Sequence, residues 1–397
     1  MTQVSSTESR SEQIIAATNE RPKAPWVLRK YIPELDGLRA IAIILVVWHN
    51  VTAGEYIGGV VWKLVNLLSN TGWVGVQLFF VLSGFLITGI LLDEKKSPHQ
   101  LRNFYMRRVM RIFPLYYAVL GFAFVLLPLF HLTPLWLHDD LRQQLWYWTF
   151  LINWSAPILG DGHAFGHFWS LAVEEQFYLL WPLCVLTCQR RTLLKLGLFF
   201  IASALLIRSA LIAYDLEFAL AAAYKFTVAR WDALAVGALL AVMVRDTEWS
   251  QLLLRYMRPA FVGAVAYIVI YAILNRNFAP VGPSFAALNQ TVAALLFGVV
   301  LFASIQTHEQ GSTRWQGFLL HPFMRLVGKY SYAIYIFHLP VNLIVVPWWS
   351  RTMMIESAPL NATCLALLVF SLSYLAAMIS WALLEQPCLR LKRFFYN

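Results

Sequence analysis

Apolar residues in this chain cluster in runs of about twenty, the length that crosses a roughly 30 Å hydrocarbon layer as helix. Hydropathy over a window of about nineteen residues predicts ten such elements, at 38–54, 73–92, 112–130, 168–188, 193–214, 226–245, 259–274, 288–306, 330–350 and 362–385. An eleventh candidate, 145–154, is short and carries Trp146, Trp148 and Trp154. That composition fits an interfacial or re-entrant piece better than a span. The expected fold is an all-α polytopic membrane protein with about ten transmembrane helices.

Charge placement orients these elements. The chain has 397 residues, is 59% hydrophobic and 13% charged, and has a net charge of +10. That excess could suggest a nucleic-acid partner, but its distribution excludes one and marks membrane topology instead. With the N-terminus inside, 23 of the 31 Lys and Arg fall in cytoplasmic segments and five outside. This asymmetry puts both termini in the cytoplasm. Counting 145–154 as a full span would scramble it. Residues 1–30 are polar, without an apolar core segment, and read as a disordered cytoplasmic tail ahead of a membrane domain at 31–397.

Within the spans stand groups that are expensive in lipid and mark function by default. His49 lies roughly 15 Å beyond Arg39 along the first helix, and Glu174 and Glu175 lie roughly 10 Å below the opposite surface. These depths allow one intramembrane site built from separate helices. Because adjacent helical residues point about 100° apart, at most one of the two glutamates faces such a site.

Each group admits two readings. A neutral imidazole at His49 can take a proton from a hydroxyl near neutral pH, or can cap the first helix or bond a neighbouring carbonyl. Glu174 or Glu175 can serve as an acid or as an arginine partner. Arg107, Arg108 and Arg111 present forked donors suited to phosphate, with Arg107 and Arg111 on one helix face; the alternative is a positive anchor at anionic headgroups. Arg230 and Asp232, near a span end, are groups of a functional site, or a snorkelling charge with a capping carboxylate. His338 serves chemistry, or satisfies backbone groups freed by Pro340. Cys184, Cys188, Cys364 and Cys388 have neither disulfide nor metal spacing. No metal site, phosphate loop or long-period repeat is visible.

These segments together resemble the acyltransferase 3 family of integral membrane enzymes, from Leu35 to Pro387. The resemblance rests on Leu35-Asp-Gly-Leu-Arg39 followed by His49, the Gly72–Gly84 segment, Arg107-Arg108-x-x-Arg111-Ile-x-Pro114 and the His167–Tyr178 segment. Arg230-x-Asp232, Ser331-Tyr332-x-x-Tyr335-x-x-His338-x-Pro340 and Glu385-Gln-Pro387 complete it. It implies a ten-helix fold and transfer of an acetyl or short acyl group from acetyl-CoA or another acyl-CoA to a hydroxyl, with a carbohydrate or glycosylated product as acceptor. The donor is a substrate; no tightly bound cofactor is implied.

Arg39 and His49 match the family's essential pair, and Arg107, Arg108 and Arg111 its arginine motif. Glu174 joins His49 and Arg39 as a catalytic candidate, and Asp36, Glu175, Arg230, Asp232, Tyr332 and His338 are further candidates. Nine residues separate Arg39 from His49 where relatives usually have ten, and Gln77 stands where a carboxylate is common. The resemblance implies the stand-alone form, without the fused hydrolase-like domain, in a bacterial cytoplasmic membrane and in polysaccharide biosynthesis. A proton-coupled secondary transporter that uses the buried His and Glu groups is the alternative from another class.

The charge asymmetry predicts that cysteines introduced near Ser97 and Asn397 label from the cytoplasm, and those near Asn277 and Ile355 from outside. Labelling of Ser97 from outside would overturn the ten-span layout.

Overall fold

The computed structural model describes residues 31–52, 69–95, 99–134, 137, 141–159, 165–214, 218–275, 286–306, 314–353, 355 and 357–395. The polar segment 1–30, expected as a tail, lies outside the described residues, as do the labelling positions Ser97, Asn277 and Asn397.

Among the described residues the chain is helical and has no strand. The helices are α1 (Glu34–Thr52), α2 (Val74–Asp93), α3 (Gln100–Gly121), α4 (Leu141–Trp148), α5 (Ile152–Leu159), α6 (Trp169–Thr187) and α7 (Arg190–Ala213). They continue with α8 (Ala219–Lys225), α9 (Thr227–Met243), α10 (Thr247–Asn275), α11 (Ala286–Gln306), α12 (Arg314–Leu320), α13 (Pro322–Thr352) and α14 (Ala358–Ser380). Nine helices among the described residues are long and apolar enough to cross a membrane. The remaining expected span, 168–188, forms the 19-residue helix α6, whose apolar run is broken by Glu174, Glu175 and Gln176. The architecture is that of an all-α polytopic membrane protein.

The segment 145–154 does not cross. It breaks at Phe150, whose φ is 54°, into α4 and α5 of eight residues each. Helices of that length rise only about 12 Å. Two other irregularities have a common cause. A wide π turn at Phe122–Leu126 precedes Pro128, and another at Trp381–Glu385 precedes Pro387. Proline removes an amide donor and crowds the carbonyl four residues back, so the helix widens just before it. The second turn carries Glu385, buried, with Ser380 Oγ donating to its carboxylate at 3.1 Å.

Burial separates a central group of helices from a lipid-facing shell. The most apolar window of α2 is 72% buried, whereas that of α10 is 6% buried. Accordingly α10 presents Val262, Ile273 and Leu274, and α7 presents Leu198, Phe199 and Leu206, as exposed side chains. In a bilayer that exposure carries no hydrophobic penalty, because lipid tails are as apolar as Leu.

At the centre, α2 packs most extensively on α9, and α1 on α13. The α2–α9 contact is backbone against backbone. A Cβ on Gly84 would collide with the Leu234 carbonyl, and one on Gly237 with the Val81 carbonyl. Small residues are how membrane helices approach closely enough to gain dispersion energy without a hydrophobic drive.

Gly84→Val is therefore expected to cost at least the 1–3 kcal/mol typical of overpacking and to lower the melting temperature in detergent. Gly263→Ala, where nothing lies within 4 Å of the added Cβ, should not lower it. Equal melting of both variants would show that the contact is not tight.

Candidate active site

Three cavities follow one another through the central helices. A mouth cavity of about 120 Å³ is lined by Asp36, Arg39, Leu86, Asp93 and Arg245 among others. It shares Arg39 and Leu86 with an inner cavity of about 100 Å³ lined also by Ser83, Arg108, Arg111, Glu174, Tyr178, Tyr332 and Tyr335. The inner cavity in turn shares Val76 and Tyr335 with a far cavity of about 290 Å³ that holds His49, Asn50, Trp73, His167, Trp169, Tyr224 and Lys225. The expected single site is thus a series of chambers: His49 and Glu174 stand in adjoining cavities, with Val76 and Tyr335 in the shared wall.

Helix geometry explains the division. α1 is regular from Glu34 to Thr52; the ten steps from Arg39 to His49 leave the two side chains about 80° apart around the axis. One opens on the inner side and the other on the far side. Arg39 is held by Asp36, whose carboxylate lies 3.1 Å away and also accepts from Tyr31. Gly72 makes room for the histidine, since a Cβ there would lie 2.5 Å from His49 Cβ.

His49 Nδ1 lies 2.5 Å from the Ser69 carbonyl. A carbonyl only accepts, so Nδ1 carries the proton and Nε2 is left basic. The backbone bond expected as a rival to catalysis therefore fixes the tautomer that a general base requires.

In the inner cavity three guanidinium groups, from Arg39, Arg108 and Arg111, face one carboxylate, Glu174. Glu174 accepts from Ser83 Oγ at 2.8 Å and from the Tyr178 hydroxyl at 2.9 Å. Arg108 lies 5.6 Å from the ring centres of Phe104 and Tyr178. Glu175 is absent from the inner cavity's lining, so one of the two glutamates faces the site. Arg107 departs from the expected face. It turns away to Glu94 at 2.5 Å and the Phe395 carbonyl at 3.0 Å, so Arg108 and Arg111, three apart, form the lining pair. Tyr332 lines the cavity while donating to the Ile112 carbonyl at 2.7 Å.

The other candidates line none of these cavities and are held by partners. Arg230 is fully buried, which overturns the snorkelling alternative. Its guanidinium donates to Gln77 at 3.0 Å and to Gln290, and stands 5.1–5.3 Å from the ring centres of Phe80, Trp169 and Tyr224. Asp232 pairs with Arg208 at 2.9 Å and accepts from Thr291 at 2.7 Å. His338 Nδ1 donates to the Tyr335 carbonyl at 2.6 Å. The carbonyl that Pro340 frees belongs to Ile336, and it is bonded by His167 Nε2 at 3.3 Å, so His167 does the work expected of His338.

Tyr335, in the wall between inner and far cavities, donates to the His167 carbonyl at 2.7 Å and lies 2.6 Å from Ser170 Oγ. Sequence reasoning did not single out Ser83, Tyr178, Tyr335 or His167 as site residues, although each lay within a quoted motif. Arg208, Gln290 and Thr291 lay outside every motif; an arginine inside a span was the available signal for the first. Among the described residues no group of three or more His, Cys, Asp or Glu side chains could hold a metal ion.

Chambered polar groups inside a lipid-facing shell define a membrane protein built around an internal site. The chain belongs to the acyltransferase 3 family, whose acyltransferase domain matches residues 32–378. It is 28% identical over 374 residues to the peptidoglycan O-acetyltransferase OatA of Listeria monocytogenes, covering 90% of this chain and 56% of that protein. It is 27% identical over 375 residues to the O-acetyltransferase OatA of Staphylococcus aureus, covering 90% and 57%. The chain thus spans little more than half the length of these relatives. No solved structure matches it significantly.

The Arg208–Asp232 pair is fully buried, so Asp232→Ala strands a cation and should cost about 3–5 kcal/mol. Replacing both residues with Leu should recover most of that loss. A double variant as unstable as the single would show that the two are not a coupled unit.

Proposed function

We propose that the chain is a bacterial membrane O-acyltransferase that moves an acetyl or short acyl group from an acyl-CoA to a hydroxyl of a carbohydrate. The observation that carries this reading is the adjoining of an arginine-rich chamber and a histidine-containing chamber across a wall of Val76 and Tyr335. Membership of the family favours acyl transfer over the proton-coupled transporter. The name of the Listeria relative points to a glycan such as peptidoglycan as acceptor.

In this reading both termini are cytoplasmic, and the donor enters through the mouth from that side. Arg108 and Arg111 draw its anionic portion into the inner cavity, and the acceptor occupies the far cavity. The acceptor O–H gives its proton to His49 Nε2, and the oxygen bonds to the thioester carbonyl carbon. The carbon–sulfur bond then breaks, and its electron pair leaves with sulfur, which takes up a proton. Arginines around the inner cavity favour the negative charge that develops on oxygen and sulfur, because preorganised donors act strongly where water is excluded. Glu174, held by Ser83 and Tyr178, is the candidate acid for the departing sulfur.

His49→Ala should insert normally, since losing an ionisable group relieves a burial cost, and should lower turnover about 10²- to 10⁴-fold. Wild-type rate should fall as pH drops through the imidazole's titration, because only the neutral ring accepts a proton. A transient acyl-histidine would also abolish activity in the variant, but it alone predicts a labelled enzyme when radioactive donor is given without acceptor. A well-inserted His49→Ala protein with near-normal transfer would overturn both mechanisms.

A further inference from the structure

The mouth cavity has a cation that none of the matched motifs includes. Arg245 follows the end of α9 and reaches across to Asp93 at the end of α2, with Nε 2.8 Å from Oδ1 and Nη2 2.7 Å from Oδ2. This is the two-pronged geometry by which a guanidinium grips either a carboxylate or a phosphate. Nη1 is tied to the Ala241 carbonyl at 2.8 Å, so the fork is held in place independently of Asp93. Gly89, in the same lining, leaves room for it: a Cβ there would come within 2.9 Å of Nη2.

The two partners differ in environment. The Arg245 side chain is 12% exposed and that of Asp93 59% exposed. The cation is therefore fixed in the cavity wall, while its carboxylate sits on the open side. An ion pair with so exposed a carboxylate contributes little to stability, so an incoming phosphate can displace Asp93 at small cost.

We propose that Arg245 is a phosphate-recognition residue at the mouth, that it receives the nucleotide end of the donor, and that Asp93 occupies its fork until the donor arrives. The proposal rests on the acyl-CoA reading above. The cavities give it a direction. From the mouth, the chain of shared residues leads through Arg39 and Leu86 into the inner cavity and on to Val76 and Tyr335. Along α2 this runs from Asp93 to Val76, roughly 25 Å of helix rise. An elongated donor anchored by its terminal ribose phosphate at Arg245 would set its diphosphate toward Arg108 and Arg111 in the inner cavity and its thioester toward the wall.

The test is binding of coenzyme A and of pantetheine, which lacks the nucleotide, to the purified full chain in detergent, by calorimetry. Arg245→Gln should weaken coenzyme A binding about 10- to 100-fold, the range a lost charge-assisted bond implies. It should also shrink the preference for coenzyme A over pantetheine by the same factor. Asp93→Asn keeps the guanidinium, frees its fork and should tighten coenzyme A binding. Unchanged coenzyme A affinity in Arg245→Gln overturns the proposal, even if the variant loses affinity for anionic lipid added to the micelles. An equal loss for both ligands, or no tightening in Asp93→Asn, also overturns it. A wild-type protein that binds no coenzyme A would instead sink the acyl-CoA reading itself.

Discussion

An ionised side chain inside a bilayer must find its partners within the protein, and the centre of this molecule is organised by that requirement. Arg208 is satisfied by Asp232, Thr291 and the carbonyls of Ala229 and Ala287. Arg230 is held by two amide oxygens and three aromatic faces. These bonds tie α7, α9 and α11 to one another and α9 to α2, and the glycine contact between α2 and α9 brings the same helices to backbone distance. The cavities lie beside this frame. In the inner cavity three arginines, Arg39, Arg108 and Arg111, share the lining with a single carboxylate, Glu174, an excess of positive charge suited to an external anion.

The two buried arginines show different solutions. Arg208 meets a carboxylate, and the pair is neutral. Arg230 meets Gln77, where a carboxylate is common in relatives. Gln77 accepts from the guanidinium at 3.0 Å and donates to the Gln290 backbone at 2.7 Å, a double role that an ionised carboxylate could not perform. The ring faces around Arg230 then supply part of the attraction a counter-ion would give. The departure at Gln77 is thereby accommodated locally, without disturbing the chambers.

Much of the fold was legible because runs of apolar residues and the cost of charge in lipid act on sequence directly. The Trp-rich piece at 145–154 could be recognised as non-crossing from its length, and Phe150 supplies the break. The nearness of His49 and Glu174 was also legible, since helix rise alone predicts a common layer and the two line adjoining cavities. Azimuth was not. Arg107 and Arg111 are neighbours on a helix, yet the side of α3 that meets the cavity is decided by packing on helices far away in sequence, and it selects Arg108 with Arg111. For the same reason the carbonyl freed by Pro340 is met by His167, more than a hundred residues earlier, and not by His338 on its own helix.

The spacing of Arg39 and His49 has a mechanistic consequence of the same kind. Eleven steps, the usual family interval, would bring two side chains within about 20° of one another on a regular helix; ten steps leave them about 80° apart. α1 shows no widened turn to absorb the difference. Arg39 therefore stands with the inner arginines and with Asp36, while the Ser69 carbonyl, delivered by the segment that leads into α2, governs the imidazole. The arginine cluster and the imidazole stand on opposite sides of the Val76–Tyr335 wall, so that in the proposed mechanism neither the donor's anionic portion nor the inner guanidiniums need approach the ring that must stay neutral to accept a proton.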